Sequence, residues 1–201
     1  MSISQIWVSA GEHEHLNTVE VGWQVYPRIY GDDHTRFFIY WTINIIIPFS
    51  NHLNCFSGYT NGYLSQGCYN LLCDGFVFTF NDDQKDATFI IQKDQSSGHW
   101  WVKLQGIPVD YYPSALFTEL SKKETSVEWG GEIINEKSKG QHTSTKMGRV
   151  FDENNMIKDP ENVVKEVTNQ NCYDLEIDSD HHGTNGYGFY DGGPGYNDKC
   201  Q

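Results

Sequence analysis

Two stretches of the chain alternate apolar and polar residues with a period of two, which is typical of a β-strand that buries one face. In the first stretch, residues 18–25, the apolar face carries Val19, Val21, Trp23 and Val25. The opposite face of this stretch carries Glu20, Gly22 and Gln24. We therefore predict a strand with one apolar side and a second side that presents a glutamate beside a glycine.

The second stretch, residues 126–134, repeats this arrangement late in the chain. Its apolar face carries Val127, Trp129, Gly131 and Ile133, and its polar face carries Glu128, Gly130 and Glu132. A glycine on an open sheet face lets another backbone approach closely, so we predict that Gly130 contacts a substrate backbone. If both strands belong to one sheet, Glu20 and Glu132 converge across a shared cleft. The periodicity predicts which face of its strand each glutamate lies on. It does not predict whether the two strands are neighbours.

The rest of the hydrophobic pattern also favours strands, in keeping with 6 Trp, 12 Tyr and 11 Phe. Further strands are predicted at residues 5–8, 36–44, 76–80, 88–92, 100–104 and 163–167. In the strand at 36–44, Tyr40 shares the face predicted for the cleft. The one helical pattern runs from Pro113 to Leu120, with proline in its first turn. We predict an all-β protein with one short helix, in a single domain of residues 1–201.

The acidic balance of the chain restricts its partners. A net charge of −13 argues against nucleic acid and against anionic membrane surfaces as partners. Such a charge is typical of a soluble acidic surface, and it also fits an enzyme that works in acid. No run reaches the roughly 18 apolar residues of a membrane span. We expect a monomer.

Five cysteines are an odd number, and their spacing predicts two disulfides. Cys68 and Cys73 bracket a short loop, Cys172 and Cys200 bracket a Gly/Tyr-rich tail, and Cys55 is left over. Disulfides imply secretion. Residues 1–4 lack the pattern of a signal peptide, so we expect a leader and any propeptide to have been removed.

Metal binding is the alternative use of these cysteines and of the scattered histidines. No C-x-x-C motif is present, and the Glu/His cluster at residues 12–15 is more typical of a solvated turn than of a metal site. A calcium or lectin-like site in the Gly-rich tail is a weaker alternative, and turns are the simpler interpretation of that tail. We expect no cofactor and no metal.

Several short motifs occur together along the chain. They are Gln5-Ile6-Trp7, Val21-Gly22-Trp23-Gln24-Val25, Tyr30-Gly31-Asp32, Tyr40-Trp41-Thr42, Gly67-Cys68-Tyr69-Asn70-Leu71-Leu72-Cys73, Trp129-Gly130-Gly131-Glu132 and Met147-Gly148. In combination and order they resemble the motifs of the neprosin family, a plant-centred group of secreted glutamic endopeptidases. The chain resembles this family over roughly residues 3–175. It departs from the family at Tyr112, where the family has Trp, and around Arg149, where the family motif continues Gly-Ser-Gly-His; the second change bears on subsite preference.

The resemblance implies an antiparallel β-sandwich of two packed sheets with an active-site cleft on one sheet. It also implies cleavage after proline at acid pH by a catalytic pair of glutamates, which falls on Glu20 and Glu132. It supports the Cys68–Cys73 and Cys172–Cys200 pairings. The expected partners are protein or peptide substrates rich in proline, and the expected location is extracellular.

In such a pair one carboxylate activates water and the protonated partner donates to the scissile group. The sequence does not decide which glutamate is the base; we weakly prefer Glu132, with Glu128 on the same face as its alternative. The predicted substrate-binding residues are Gln24, Tyr40, Trp23 and Gly130. Two rivals stay open: a glycoside hydrolase, which also uses paired carboxylates, and a non-catalytic carbohydrate-binding β-sandwich.

Overall fold

The computed structural model describes residues 1–43, 53–55, 87–134, 149–151, 167, 170–177 and 188–192, and for 53–55 and 149–151 the backbone alone. The described strands are β1 (Ser2–Ala10), β2 (Asn17–Val25), β3 (Arg36–Ile43), β4 (Leu53–Cys55), β5 (Phe89–Lys93), β6 (Trp100–Leu104), β7 (Ile107–Tyr112), β8 (Ser126–Ile133), β9 (Arg149–Phe151), β10 (Asp174–Ile177) and β11 (Gly188–Gly192). A four-residue helix, α1 (Pro27–Tyr30), and two 3₁₀ turns, His13–His15 and Ser114–Leu116, connect them. The antiparallel all-β class predicted from the sequence is confirmed.

The chain divides into two compact units. The larger unit comprises residues 5–129, and the smaller unit comprises residues 1–4 with 130–201. Strands β1 and β8 contribute residues to both units. The single domain of residues 1–201 stays a prediction.

The core of the larger unit is built from two sheets. One has the strand order β4-β3-β2-β1-β8 and the other has the order β5-β6-β7. Strand β2 pairs with β3 along its length, from Asn17 opposite Ile43 to Gln24 opposite Arg36. The buried core residues come from both sheets and from the segment after β7: Val8, Ala10, Val19, Val21, Phe37, Ile39, Trp41, Ile43, Trp100, Val102, Val109, Tyr112, Phe117 and Leu120. Apolar burial on this scale is the main stabilising contribution in a domain of this size.

The smaller unit contains a three-stranded antiparallel sheet with the order β10-β11-β9. Its central strand β11 places Asp191 opposite Leu175 and Phe189 opposite Ile177. Turns were predicted for this Gly/Tyr-rich tail, and the strand at Gly188–Gly192 corrects that prediction.

The helix predicted at Pro113–Leu120 is also wrong, because the chain forms only the 3₁₀ turn Ser114–Leu116 there. The chain is extended at Phe117, and the backbone N–H groups of Glu119 and Leu120 donate to Asn17 Oδ1 at 2.8 and 3.3 Å. Because these two N–H groups donate to a side chain from β2, they do not form the backbone hydrogen bonds that the last turn of a helix would need.

Two further elements differ from the sequence-based prediction. Strand β7 was not predicted; it follows a tight turn at Gln105 and Gly106, both with positive φ (52° and 76°), which directs the chain back along β6. The short strand β4 lies in a segment predicted as loop, where its three residues pair with the end of β3. The strands predicted at 76–80 and 163–167 lie outside the described residues, apart from Val167.

Candidate active site

Glu20 lies in the middle of β2, directly opposite Tyr40 of β3. Its side chain is 9% exposed, and its Oε1 accepts a hydrogen bond of 2.8 Å from Thr18 Oγ1. Thr18 Oγ1 lies 3.1 Å from Thr42 Oγ1, and these two threonines are opposite each other in the β2–β3 ladder. The carboxyl is therefore held in place by a short chain of hydroxyl groups.

The face of β2 that carries Glu20 is more covered than the sequence indicates. Thr18, Glu20 and Gln24 are all buried, although the alternation predicts a polar, outward-facing side. Both faces of β2 are thus shielded from bulk water. A carboxyl in this position loses hydration, and polar neighbours must replace it.

Gln24 is only 1% exposed, and its Nε2 donates to Tyr30 Oη at 2.7 Å. The guanidinium of Arg36, which is opposite Gln24 in the ladder, lies 4.7 Å above the Tyr30 ring. The same guanidinium donates to Asp32, with Nη2 at 2.7 Å from Oδ2. The hydrogen bonds from Arg36 and from the His34 backbone hold the pKa of the Asp32 carboxyl well below its usual range. These contacts fix Gln24 four residues from Glu20 on the same strand face.

Tyr40 and Trp23 lie on opposite faces of the larger sheet. Tyr40 is directly opposite Glu20, and opposed residues of an antiparallel pair share a face, so it borders the carboxyl as predicted. Trp23 packs edge-on against Phe37 and Phe89, with ring centroids 6.3 and 5.4 Å away, on the side of the core. The role of each residue in substrate binding stays a prediction.

Strand β8 is confirmed at Ser126–Ile133, but its predicted core face is only partly buried. Val127 is 39% exposed, while Trp129, Gly131 and Ile133 are half-buried. Glu128 and Glu132 are exposed, and Gly130 is half-buried between them. Ser126 Oγ donates to Glu128 Oε1 at 2.9 Å. Glu20 belongs to the larger unit and Glu132 to the smaller one, so their convergence stays a prediction.

Of the four cysteines predicted to form disulfides, only Cys172 is among the described residues. Cys172 is buried and disulfide-bonded, and its partner is not identified by the described residues. Cys68, Cys73 and Cys200 also lie outside it, and Cys55 is described by its backbone only. The two pairings and the free state of Cys55 therefore stay predictions.

Another buried carboxyl, Asp191, was missed by the sequence analysis. It is 9% exposed, and neither of its oxygens has a hydrogen-bond partner in the described structure. Burial raises the pKa of Asp191 to about 7. The sequence signal was present, because Phe189 and Asp191 alternate with exposed Tyr190, but the surrounding glycines favoured a turn interpretation.

Other kinds of site find little support in the described residues. These residues contain no group of three or more His, Cys, Asp or Glu side chains arranged to hold a metal ion. An open cavity of about 650 Å³ in the smaller unit is lined by Val167 and residues 170–175, and it includes none of the predicted catalytic or substrate-binding residues. Among the described helices, none has the length and apolar character needed to cross a membrane.

A comparison with protein-family models identifies the family of this chain. The family model described as Neprosin matches residues 1–150 of the 201. The matched region contains both Glu20 and Glu132, together with the hydroxyl chain and the Arg36–Asp32 pair described above. The protein belongs to the neprosin family.

Proposed function

We propose that the protein is a secreted acid endopeptidase that hydrolyses peptide bonds after proline, with Glu20 and Glu132 as its catalytic pair. Membership of the neprosin family supports a peptidase-like function. The proposal that glutamates catalyse the reaction rests on the buried Glu20 carboxyl, which accepts a hydrogen bond from Thr18 on a strand of the core. A buried, oriented carboxyl is a costly feature in a fold, and such features concentrate at functional sites.

The proposed mechanism uses one proton shared between two carboxyl groups. When two carboxyl groups lie close together, ionisation of one raises the proton affinity of the other, so the pair holds one proton over an acid pH range. The carboxylate takes a proton from a water molecule, which attacks the carbonyl carbon of the scissile bond. The protonated carboxyl donates its proton to the developing oxyanion, and the proton taken from water goes to the leaving amine.

The substrate side of the proposal rests on the residues around Glu20. Tyr40 lies directly opposite the carboxyl and offers an aromatic surface and a hydroxyl donor. A proline ring can pack against the apolar face of an aromatic ring, which fits cleavage after proline. Gly130, which has no side chain, leaves room for a substrate backbone beside Glu132. We propose that Gln24, fixed by Tyr30, orients the groups around this site.

The proposal includes an extracellular location, two disulfides and a monomeric state. An acid optimum follows from the shared proton, because raising the pH removes it and leaves no general acid. The formal charge of −13 at pH 7 also falls in magnitude as the carboxyl groups are protonated, which reduces self-repulsion in acid.

The test is an assay of the purified protein at acid pH on a proline-rich peptide and, separately, on a glucan. We expect peptide cleavage after proline and no sugar release, and we expect cleavage to disappear in Glu20→Gln. Sugar release without peptide cleavage contradicts the proposal and supports a glycoside hydrolase. Binding to the glucan with neither reaction supports a carbohydrate-binding protein.

A further inference from the structure

The hydroxyl chain beside Glu20 has a defined donor order when the carboxyl is ionised. Thr18 has a single hydroxyl proton, and that proton is directed to Glu20 Oε1. The 3.1 Å contact between Thr18 and Thr42 must then use the proton of Thr42. The order is therefore Thr42 to Thr18 to Glu20, and each hydroxyl polarises the next.

The reverse order requires a protonated Glu20 that donates to Thr18. A hydrogen bond to an ionised acceptor is roughly twice as strong as one between neutral groups. The hydroxyl chain therefore favours the ionised form of Glu20, in opposition to the burial that favours the neutral form. In Asp191, which is buried to the same 9% exposure and has no side-chain donor in the described structure, burial is the larger effect and raises the pKa to about 7.

On the strands that pair with β2, two charged or titratable residues share the face of Glu20. Both are on β3: Tyr40, directly opposite, and Arg36, four residues along and paired with Asp32. Strand β1, on the other side of β2, has no titratable side chain in its sequence, Ser2–Ala10.

We propose that Thr18, oriented by Thr42, is the positioning residue that keeps Glu20 ionised, so that Glu20 is the base of the proposed catalytic pair. This inference rests on the proposed function, because it assigns roles within the proposed catalytic pair. It differs from the initial preference for Glu132 as the base, a choice that the sequence alone does not decide.

The chain supplies an internal control for this contact. Ser126 and Glu128 of β8 have the same spacing as Thr18 and Glu20, and Ser126 Oγ donates to Glu128 Oε1 at 2.9 Å. Glu128 is exposed, so water competes with the serine for its carboxylate. Loss of the Ser126 hydroxyl should therefore change little, whereas loss of the Thr18 hydroxyl removes a donor from a buried carboxylate that water does not readily reach.

The test is the pH profile of kcat/KM on a proline-containing peptide for wild type and Thr18→Val. Valine keeps the shape of threonine and removes the hydroxyl. We expect the acid limb, which reports ionisation of the base, to move up by about one pH unit. An unchanged acid limb overturns the proposal. A downward move of the alkaline limb also overturns it, because it shows that Thr18 accepts a proton from a neutral Glu20.

Three variants complete the design. Thr18→Ser restores a hydroxyl and should return the profile to that of wild type, which a purely structural role of the threonine methyl would not predict. Thr42→Val should move the acid limb in the same direction as Thr18→Val but by a smaller amount. It also tests the hydroxyl chain independently if Thr18→Val does not fold. Ser126→Ala should leave the profile unchanged.

Failure of the proposed function is distinguishable from failure of this inference. If Glu20→Gln stays active, Glu20 is not catalytic and the activity profile no longer reports on it. The carboxyl ¹³C signal of Glu20, identified by its loss in Glu20→Gln, can then be titrated in wild type and in Thr18→Val. A higher titration midpoint in Thr18→Val supports the Thr18 contact on its own, and equal midpoints overturn it.

Discussion

The protein contains two carboxyl groups that are buried to the same extent and have different surroundings. Glu20 of β2 and Asp191 of β11 are both 9% exposed, and each lies on a strand with a neighbour on both sides. Glu20 accepts a hydrogen bond from Thr18, whereas neither oxygen of Asp191 has a partner in the described residues. Because a donor to a carboxylate favours its charged form and burial favours its neutral form, we expect the two acids to differ in which form the fold tolerates.

The surroundings of Asp191 are apolar on its own sheet. Its face is shared with Phe189, and the residues opposite these two on β10 are Leu175 and Ile177. The charged residues Asp174 and Glu176 alternate with these and lie on the other face, as does Tyr190. The face of β10 next to Asp191 therefore offers no side-chain hydrogen-bond donor and no positive charge that would stabilise an ionised Asp191.

The largest expected contrast between the two groups is in catalysis. Glu20→Gln keeps the size of the side chain and removes its ability to exchange a proton, so kcat should fall by about 10²–10⁴-fold. Asp191→Asn should leave kcat unchanged at acid pH, because a protonated aspartic acid and an asparagine are both neutral. A large loss of kcat in a folded Asp191→Asn protein would show that burial, and not position, distinguishes the active carboxyl.

The second contrast is in stability at different pH values. The folded-state pKa of Asp191 is raised from 3.8 to about 7, so the folded protein holds a proton that the unfolded chain has lost. Its contribution is present below pH 4 and is lost as the pH rises to 7, by up to about 4 kcal/mol in the free energy of unfolding. Asp191→Asn should remove this loss, which urea unfolding between pH 4 and pH 8 measures.

Asp174→Asn is the matched control for this measurement, since Asp174 is exposed on the neighbouring strand. Its substitution should leave the slope of stability against pH as in wild type. A wild-type stability that does not fall between pH 4 and pH 7 would contradict the burial argument.

A third variant supplies Asp191 with the type of donor that Glu20 already has. Leu175 lies directly opposite Asp191, so Leu175→Thr places a hydroxyl within reach of the carboxyl. The midpoint of the pH-dependent stability loss should move down by about one unit, whatever the overall cost of the lost apolar burial. Leu175→Val, which reduces the side chain without adding a hydroxyl, should leave that midpoint in place.

The smallest expected effect concerns Glu128, the exposed acid on the same face of β8 as Glu132. Glu128→Gln should stay within about tenfold of wild-type kcat, or roughly 1.4 kcal/mol of barrier. An inactive Glu128→Gln together with an active Glu132→Gln would show that the catalytic acid is Glu128.

Local patterns in the sequence were sufficient for the strands that surround Glu20. The bounds predicted for β2 and β3 agree with the structure to within a residue, because an alternating pattern fixes both the strand and its facing. The burial of both faces of β2 was not predictable, since it depends on what packs against the strand. The helix predicted at Pro113–Leu120 failed for a similar reason, because Asn17, distant in sequence, binds its backbone N–H groups.

The candidate site was predictable in part. The period of two placed Glu20, Gln24 and Tyr40 on one face, and it also places Thr18 there, two residues before the glutamate. The contact of Thr18 with Thr42 depends on the register between β2 and β3, which periodicity does not give. Asp191 was missed because its strand is short and bordered by glycine, and its pairing with β10 is a non-local feature.

The central claim is that Glu20 and Glu132 act as one catalytic unit, and a double-mutant comparison tests it most directly. The measurement is kcat at one acid pH for wild type, Glu20→Gln, Glu132→Gln and the double variant, each checked for folding. If the two carboxyl groups share one proton, the double variant should be little slower than the slower single variant. Multiplication of the two single losses in the double variant, or an active Glu20→Gln, would contradict the account.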